Sequence, residues 1–150
     1  LSNNLREVAT QVLDDIISEF DSANVIVSLC LCDDAQMRGL NRHHRQIDKA
    51  TNVLSFPACD ISELIVGRDR PTLVGDIVIA AETVQREAED MQKPVADHIS
   101  HLFVHGMLHL LGHDHINEDK AKVMESLEVE ILAKIGVPNP YKDATIGASK

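Results

Sequence analysis

His105-Gly106-Met107-Leu108-His109-Leu110-Leu111-Gly112-His113-Asp114-His115 decides how this chain is read. Its histidines at i and i+4 fall on one face of a helix, one turn apart, where two imidazoles can grip a single ion. The helix cannot deliver a third ligand to that ion, because the next residue on the face lies a further turn away. Gly112 offers a stop, since glycine tolerates the left-handed conformation that ends helices. The chain can then fold back and present His115. Three neutral histidines with an open fourth position form the ligand set of a catalytic zinc site. The spacing follows the pattern H-E-x-x-H-x-x-G-x-x-H in every position but one. Where that pattern has its general base, this chain has Gly106.

The residues around the motif are those of a central helix. Leu102, Phe103, Val104, Met107, Leu108, Leu110 and Leu111 point nearly all round a helix over 94–111, with Pro94 in its first turn. Outward from it, Leu5, Val8, Val12, Leu13, Ile16, Ile17 and Phe20 recur at helical spacing and predict a helix over 4–20. Residues 24–32 predict a strand. Asp33 or Asp34 can cap a helix that carries Met37 and Leu40 inward and ends near Gln46. Asn52–Phe56 is predicted as a short strand stopped by Pro57, 58–72 as a loop, Leu73–Ala80 as a strand and 81–91 as a helix. Asn117 can cap a last helix, with Met124, Leu127, Ile131 and Ile135 as its core stripe and Gly136 and Pro138 beyond its end. The order predicts an α+β fold, a small mixed sheet packed against helices with the three-histidine site on the central one.

At 150 residues the chain suits one domain over its whole length, and 44% apolar residues do not indicate disorder. Three Phe, one Tyr and no Trp require an aliphatic core. A net charge of −10 argues against non-specific binding to nucleic acid, although it leaves room for a local basic groove. Three cysteines without a C-x-x-C fit neither a disulfide framework nor a zinc ribbon, and Cys30 and Cys32 are expected to be buried thiols in a reducing cytoplasm. No apolar run approaches the roughly 20 residues that span a bilayer, so no membrane partner is expected. No signal peptide is visible, and a start at Leu1 points to a shortened N-terminus.

His98 and His101 share the face of His105 and His109 but lie too far along the helix to join the same ion, so they are read as structural or exposed. His113 gives way to His115 as the ligand, and His43 and His44 are read as surface residues. A glycine inside a helix costs about 1 kcal/mol relative to alanine, so Gly106 calls for a reason such as close approach of a strand or substrate. The segment from Arg38 to Lys49 is the densest basic stretch. It reads either as a solvated helix face or as an anion site, because an arginine fork matches phosphate oxygens.

Several separated motifs together resemble the bacterial YbeY endoribonucleases, also called ribosomal RNA maturation factors. They are His105-Gly-x-Leu-His109-Leu-x-Gly112-x-Asp114-His115, Arg45-Gln-x-Asp48-Lys49-x-Thr51-Asn52-Val-Leu-Ser55-Phe56-Pro57, Gly75-Asp76-Ile77 and Met124-Glu125-x-Leu127-Glu128. The resemblance covers roughly residues 38–130 and is far more specific than the histidine pattern alone. It implies one zinc ion per chain, held by His105, His109 and His115, and a functional arginine that maps to Arg45. It also implies cleavage of single-stranded RNA, maturation of the small-subunit ribosomal RNA 3′ end and quality control of ribosomes. The partners it implies are ribosomal RNA and the small subunit or its assembly factors. His113 stands where the family often has Tyr, and no strand precedes Leu5, where the family usually has one.

The chemistry expected is metal-assisted hydrolysis of a phosphodiester, with Arg45 holding the phosphate. Asp114 or Asp76 could assist as a base, and Asp114 could instead orient a ligand histidine. A zinc peptidase or other metallohydrolase is the main rival, and a ribosome-associated binding module with a structural zinc is the second.

Overall fold

The computed structural model describes residues 25–45, 51–58, 72–113 and 115–141. The helix expected over 4–20, most of the loop expected over 58–72 and Asp114 lie outside these residues. The described elements run β1 (Val25–Cys32), α1 (Asp34–Arg45), β2 (Val53–Pro57), β3 (Thr72–Ala80), α2 (Ala81–Asp90), α3 (Val95–Leu110) and α4 (Glu118–Lys134). This is the expected α+β class.

The three strands lie in the order β1-β3-β2. β1 pairs parallel with β3, and β2 pairs antiparallel with it. The parallel pair demands a crossover, which α1 and β2 help to supply. Alternation along β3 divides the molecule into two layers. Ile77 and Ile79 face one way, into the larger core with Leu102, Phe103, Met107 and Leu108 of α3 and Met124, Ile131 and Leu132 of α4. Val78 and Ala80 face the other way, onto Met37 of α1 and Leu54 of β2. α3 is therefore covered by the sheet on one side and by α4 on another, which explains why its apolar residues point nearly all round.

Local chemistry sets the element ends. Asp33 caps α1: its carboxylate accepts from the Gln36 N–H at 2.7 Å, and the Gln36 side chain accepts from the Asp33 N–H at 3.0 Å. Asn117 caps α4 by accepting from the Lys120 N–H at 2.9 Å. Pro94 stands just outside α3 as its cap, not within the first turn, because its ψ of 139° is extended. β2 runs one residue further than expected and takes in Pro57. The bonds from Ala80 N–H to Asn52 and from Ala58 N–H to Val74 put the even-numbered residues of β2 in register with β3. The missing N–H of Pro57 therefore falls on the outer edge, where a strand tolerates proline.

Gly75 is where β3, β2 and α3 meet most closely. A methyl group there would stand 2.5 Å from the Phe56 carbonyl oxygen and 2.6 Å from Leu110 Cδ2. A backbone atom cannot retreat cheaply, so Gly75→Ala is expected to lose about 1–3 kcal/mol, the range of an overpacked core. Urea unfolding at constant m-value measures this, and an unchanged midpoint would contradict the packing described.

Cys30 departs from expectation. Its side chain is exposed, and that of Cys32 is half-buried against the Met37 cluster. Among the described residues, Val27 and Leu29 of β1 pack on the larger core and Cys32 on the Met37 cluster, while Ile26, Ser28, Cys30 and Leu31 are exposed.

Candidate metal centre

α3 ends immediately after its second site histidine. Gly112 adopts φ +97°, the left-handed conformation. Its N–H bonds the His109 carbonyl at 3.0 Å, and the His113 N–H bonds the Leu108 carbonyl at 2.9 Å. This paired closure satisfies the last helical carbonyls and turns the chain back. His115 thereby returns to the face of His105 and His109.

The three rings converge. Centroids stand 4.6 Å apart for His105 and His109, 5.1 Å for His109 and His115, and 5.5 Å for His105 and His115. One nitrogen from each ring lies within 4.8 Å of the other two. The Nε2 atoms of His105 and His109 are 3.1 Å apart. Two nitrogens bound tetrahedrally at zinc distances would be separated by about 3.3 Å, so this pair is already near the edge of such a site. The residues therefore fit a zinc ion, which His105, His109 and His115 would hold. His98, His101 and His113 are not in the group.

The environment favours the neutral imidazole at His109, the form that binds metal. His109 is pushed down to about 4, chiefly by burial and then by the neighbouring His105 and His115, while a hydrogen bond to the His113 backbone acts the other way. His98 is also pushed below its usual value by burial, against the pull of its bond to Glu87. Both shifts lower a base, so the unfolded chain takes up more protons than the folded one as pH falls from 6.5 toward about 4. The part of the metal-free protein's stability that depends on these two neutral rings is fully present above 6.5 and declines as pH falls through that window. Denaturant midpoints in chelator are expected to be lower at about pH 5 than at about pH 7.5, and equal midpoints would contradict the assignment.

The cleft beside the histidines has a volume of about 440 Å³ and is lined by Thr51, Asn52, Val53, Leu54, Ser55 and Pro57 together with His105, His109 and His115. Two motifs far apart in sequence thus form one site. Glu87 of α2 fixes its rim, since its carboxylate accepts from Asn52 Nδ2 at 3.1 Å and from His98 Nε2 at 2.8 Å. His98 is accordingly a buried structural residue, as expected.

Gly106 has the close strand approach that its cost implied. Its carbonyl accepts from the Ser55 hydroxyl at 3.2 Å. A Cβ would stand 3.0 Å from Ser55 Oγ and 3.1 Å from Ile77 Cγ2. Any side chain at this position would therefore begin in tight contact with two residues of the sheet.

The remaining expected residues fall differently. Arg45 is the last residue of α1, and its side chain, like that of His44, lies outside the described residues. His43 is exposed. Asp76 pairs with Phe56 and shares the parity of Val78 and Ala80, so it belongs to the α1 face of the sheet, away from α3. It is not among the residues lining the cleft.

Sequence reading missed the role of Glu128. This α4 carboxylate is 1% exposed and reaches two histidines of α3, His101 Nε2 at 2.7 Å and His105 Nδ1 at 2.9 Å. The Tyr141 hydroxyl donates to the same carboxylate. Burial alone would raise its pKa, but the donors His101, His105 and Tyr141 together outweigh that and hold it at about 2. A signal was present: Met124, Glu128 and Ile131 follow helical spacing, which puts a charge on the core stripe of α4.

Comparison with known proteins extends these observations. The sequence model of the family described as Endoribonuclease YbeY matches residues 1–136. The protein named Endoribonuclease YbeY in Bradyrhizobium diazoefficiens is 52% identical over 123 residues, which span 82% of this chain and 67% of that protein. Its namesake in Rhodopseudomonas palustris strain BisB18 is 50% identical over 127 residues, spanning 85% of this chain and 75% of that protein. The solution structure of TM1509 from Thermotoga maritima superposes with a TM-score of 0.55, covering 89% of this chain and 84% of that one. At 21% identity it supports the fold alone.

Proposed function

The chain belongs to the YbeY endoribonuclease family, and on that premise we propose that it is a zinc-dependent endoribonuclease acting on single-stranded RNA. Its substrate is ribosomal RNA, notably the 3′ end of the small-subunit RNA, and its wider role is quality control of ribosomes. The observation that carries this reading is the convergence of His105, His109 and His115 on one point beside the cleft lined by Thr51–Pro57.

His105, His109 and His115 hold the ion. When bound, zinc supplies Lewis acidity that polarises a phosphoryl oxygen and acidifies water. Arg45 pairs with the phosphate oxygens and stabilises the charge that develops on them. Ser55 and Ile77 fill the space beside Gly106, which speaks against a peptidase, whose glutamate base would stand there. Three protein ligands leave a fourth position for substrate, which speaks against a purely structural ion. The net charge of −10 is unfavourable for binding RNA, so the small subunit or an assembly factor contributes to docking. A cytoplasmic place of action goes with that substrate. Among the described residues, no helix is long and apolar enough to cross a membrane.

Offering one zinc-loaded preparation both single-stranded ribosomal RNA fragments and casein tests the reaction class. Cleaved RNA with intact casein is expected. Degraded casein with intact RNA would overturn the proposal in favour of a peptidase.

A further inference from the structure

We propose that Glu128 is a positioning residue for His105: it fixes the ring's tautomer and aim, with His101 and Tyr141 holding the carboxylate in place. The inference rests on the metalloenzyme reading above and adds a component from a different helix.

The geometry is specific. Glu128 has two carboxylate oxygens and divides them. Oε2 takes His105 Nδ1 at 2.9 Å, while Oε1 takes His101 Nε2 at 2.7 Å and the Tyr141 hydroxyl. An ionised carboxylate can only accept, so His105 must donate Nδ1–H. A neutral ring with its proton on Nδ1 leaves the Nε2 lone pair free, and that is the nitrogen facing His109 Nε2 at 3.1 Å. In the metal-free protein that lone pair can accept a proton shared from His109 Nε2, and it is the same lone pair that an ion would take. The carboxylate therefore prepares a donor atom before any ion arrives.

The other contacts explain why the carboxylate stays put. Glu128 is 1% exposed, so water cannot compete for its oxygens. His101 sits one turn before His105 on α3, so one carboxylate clamps two successive turns of the same face. The Tyr141 ring meets His101 edge-on at 5.4 Å and 85°. Tyr141 follows α4 in the chain, and its backbone N–H bonds Asn139 Oδ1 at 2.8 Å. The segment after α4 is thereby tied to the histidine helix through one buried acid. This gives His101 a role that its distance from the ion does not predict.

Glutamine is the informative replacement because it keeps the shape. Its single acceptor oxygen and its NH₂ cannot accept from both rings. The test measures zinc affinity by chelator competition, and the His105 tautomer by long-range ¹H–¹⁵N correlation on metal-free, full-length protein. Wild-type His105 is expected to carry its proton on Nδ1. In Glu128→Gln that preference is lost, and zinc affinity falls about 10–100-fold. Tyr141→Phe keeps the carboxylate and the tautomer and loses less than about 10-fold in affinity. Circular dichroism reports whether each variant folds. A folded Glu128→Gln with wild-type affinity and tautomer overturns the proposal. If that variant does not fold, a wild-type His105 with its proton on Nε2 overturns it equally. Wild-type protein that binds no zinc overturns the metalloenzyme reading instead, and the tautomer still decides whether Glu128 orients His105.

Discussion

His109→Ala is expected to lose bound zinc and RNA cleavage together while the protein stays folded. His109 occupies the middle of the constellation, with its ring 4.6 Å from that of His105 and 5.1 Å from that of His115. Removing it leaves two ligands, too few for a stable catalytic site. Turnover is expected to fall by at least about a thousandfold, since the ion supplies several kcal/mol of transition-state stabilisation. Folding should survive because the main core is built from other residues of α3, among them Phe103, Met107 and Leu108. The low pKa of His109 implies that burying this ring is not what stabilises the protein in acid. Elemental analysis, circular dichroism and gel assays on the same sample check all three statements. Wild-type cleavage by a zinc-free His109→Ala would contradict the assignment.

Arg45→Ala is expected to separate binding of the ion from turnover. The backbone places Arg45 at the C-terminal end of α1, just before the segment that leads into Thr51 and the cleft-lining strand. Its proposed work is on the phosphate, so zinc content should stay at wild-type level. Cleavage is expected to drop by about a hundredfold or more, the typical loss for one donor to developing charge. Arg45→Lys should recover little, because an ammonium cannot reproduce the planar two-bond fork. Unchanged turnover in Arg45→Ala would remove the arginine from the mechanism.

Much of this architecture is legible in sequence because its signals are local. The turn at Gly112, the caps at Asp33 and Asn117 and the apolar runs of β1, β3 and α3 all report on neighbours within a few residues. The order of the strands does not, since β3 comes to lie between β1 and β2 through pairings that span up to 48 positions (Cys32 with Ala80). The same long-range packing decides the side-chain outcomes that local reading missed. Asp76 sits within a strong strand, but its face is fixed by register, and the register turns it toward α1. Cys30 and Cys32 alternate alike in sequence, yet only Cys32 reaches the Met37 cluster. The helical spacing of Glu128 marks it as an acid on the core stripe of α4, but its role is not local, because the partner that explains it lies 23 residues earlier, on another helix. Gly106 is the reverse case. Its cost inside a helix announced a close neighbour, and Ser55 and Ile77 are that neighbour.

RNA cleavage is expected to depend on an ion held by His105, His109 and His115. Stripping the purified protein with a strong chelator, measuring cleavage of a single-stranded ribosomal RNA fragment, and then restoring zinc in known amounts tests it most directly. Activity is expected to vanish with the metal and to return in proportion to added zinc, reaching its plateau at one ion per chain. Cleavage that continues at its original rate after complete metal removal would contradict the account.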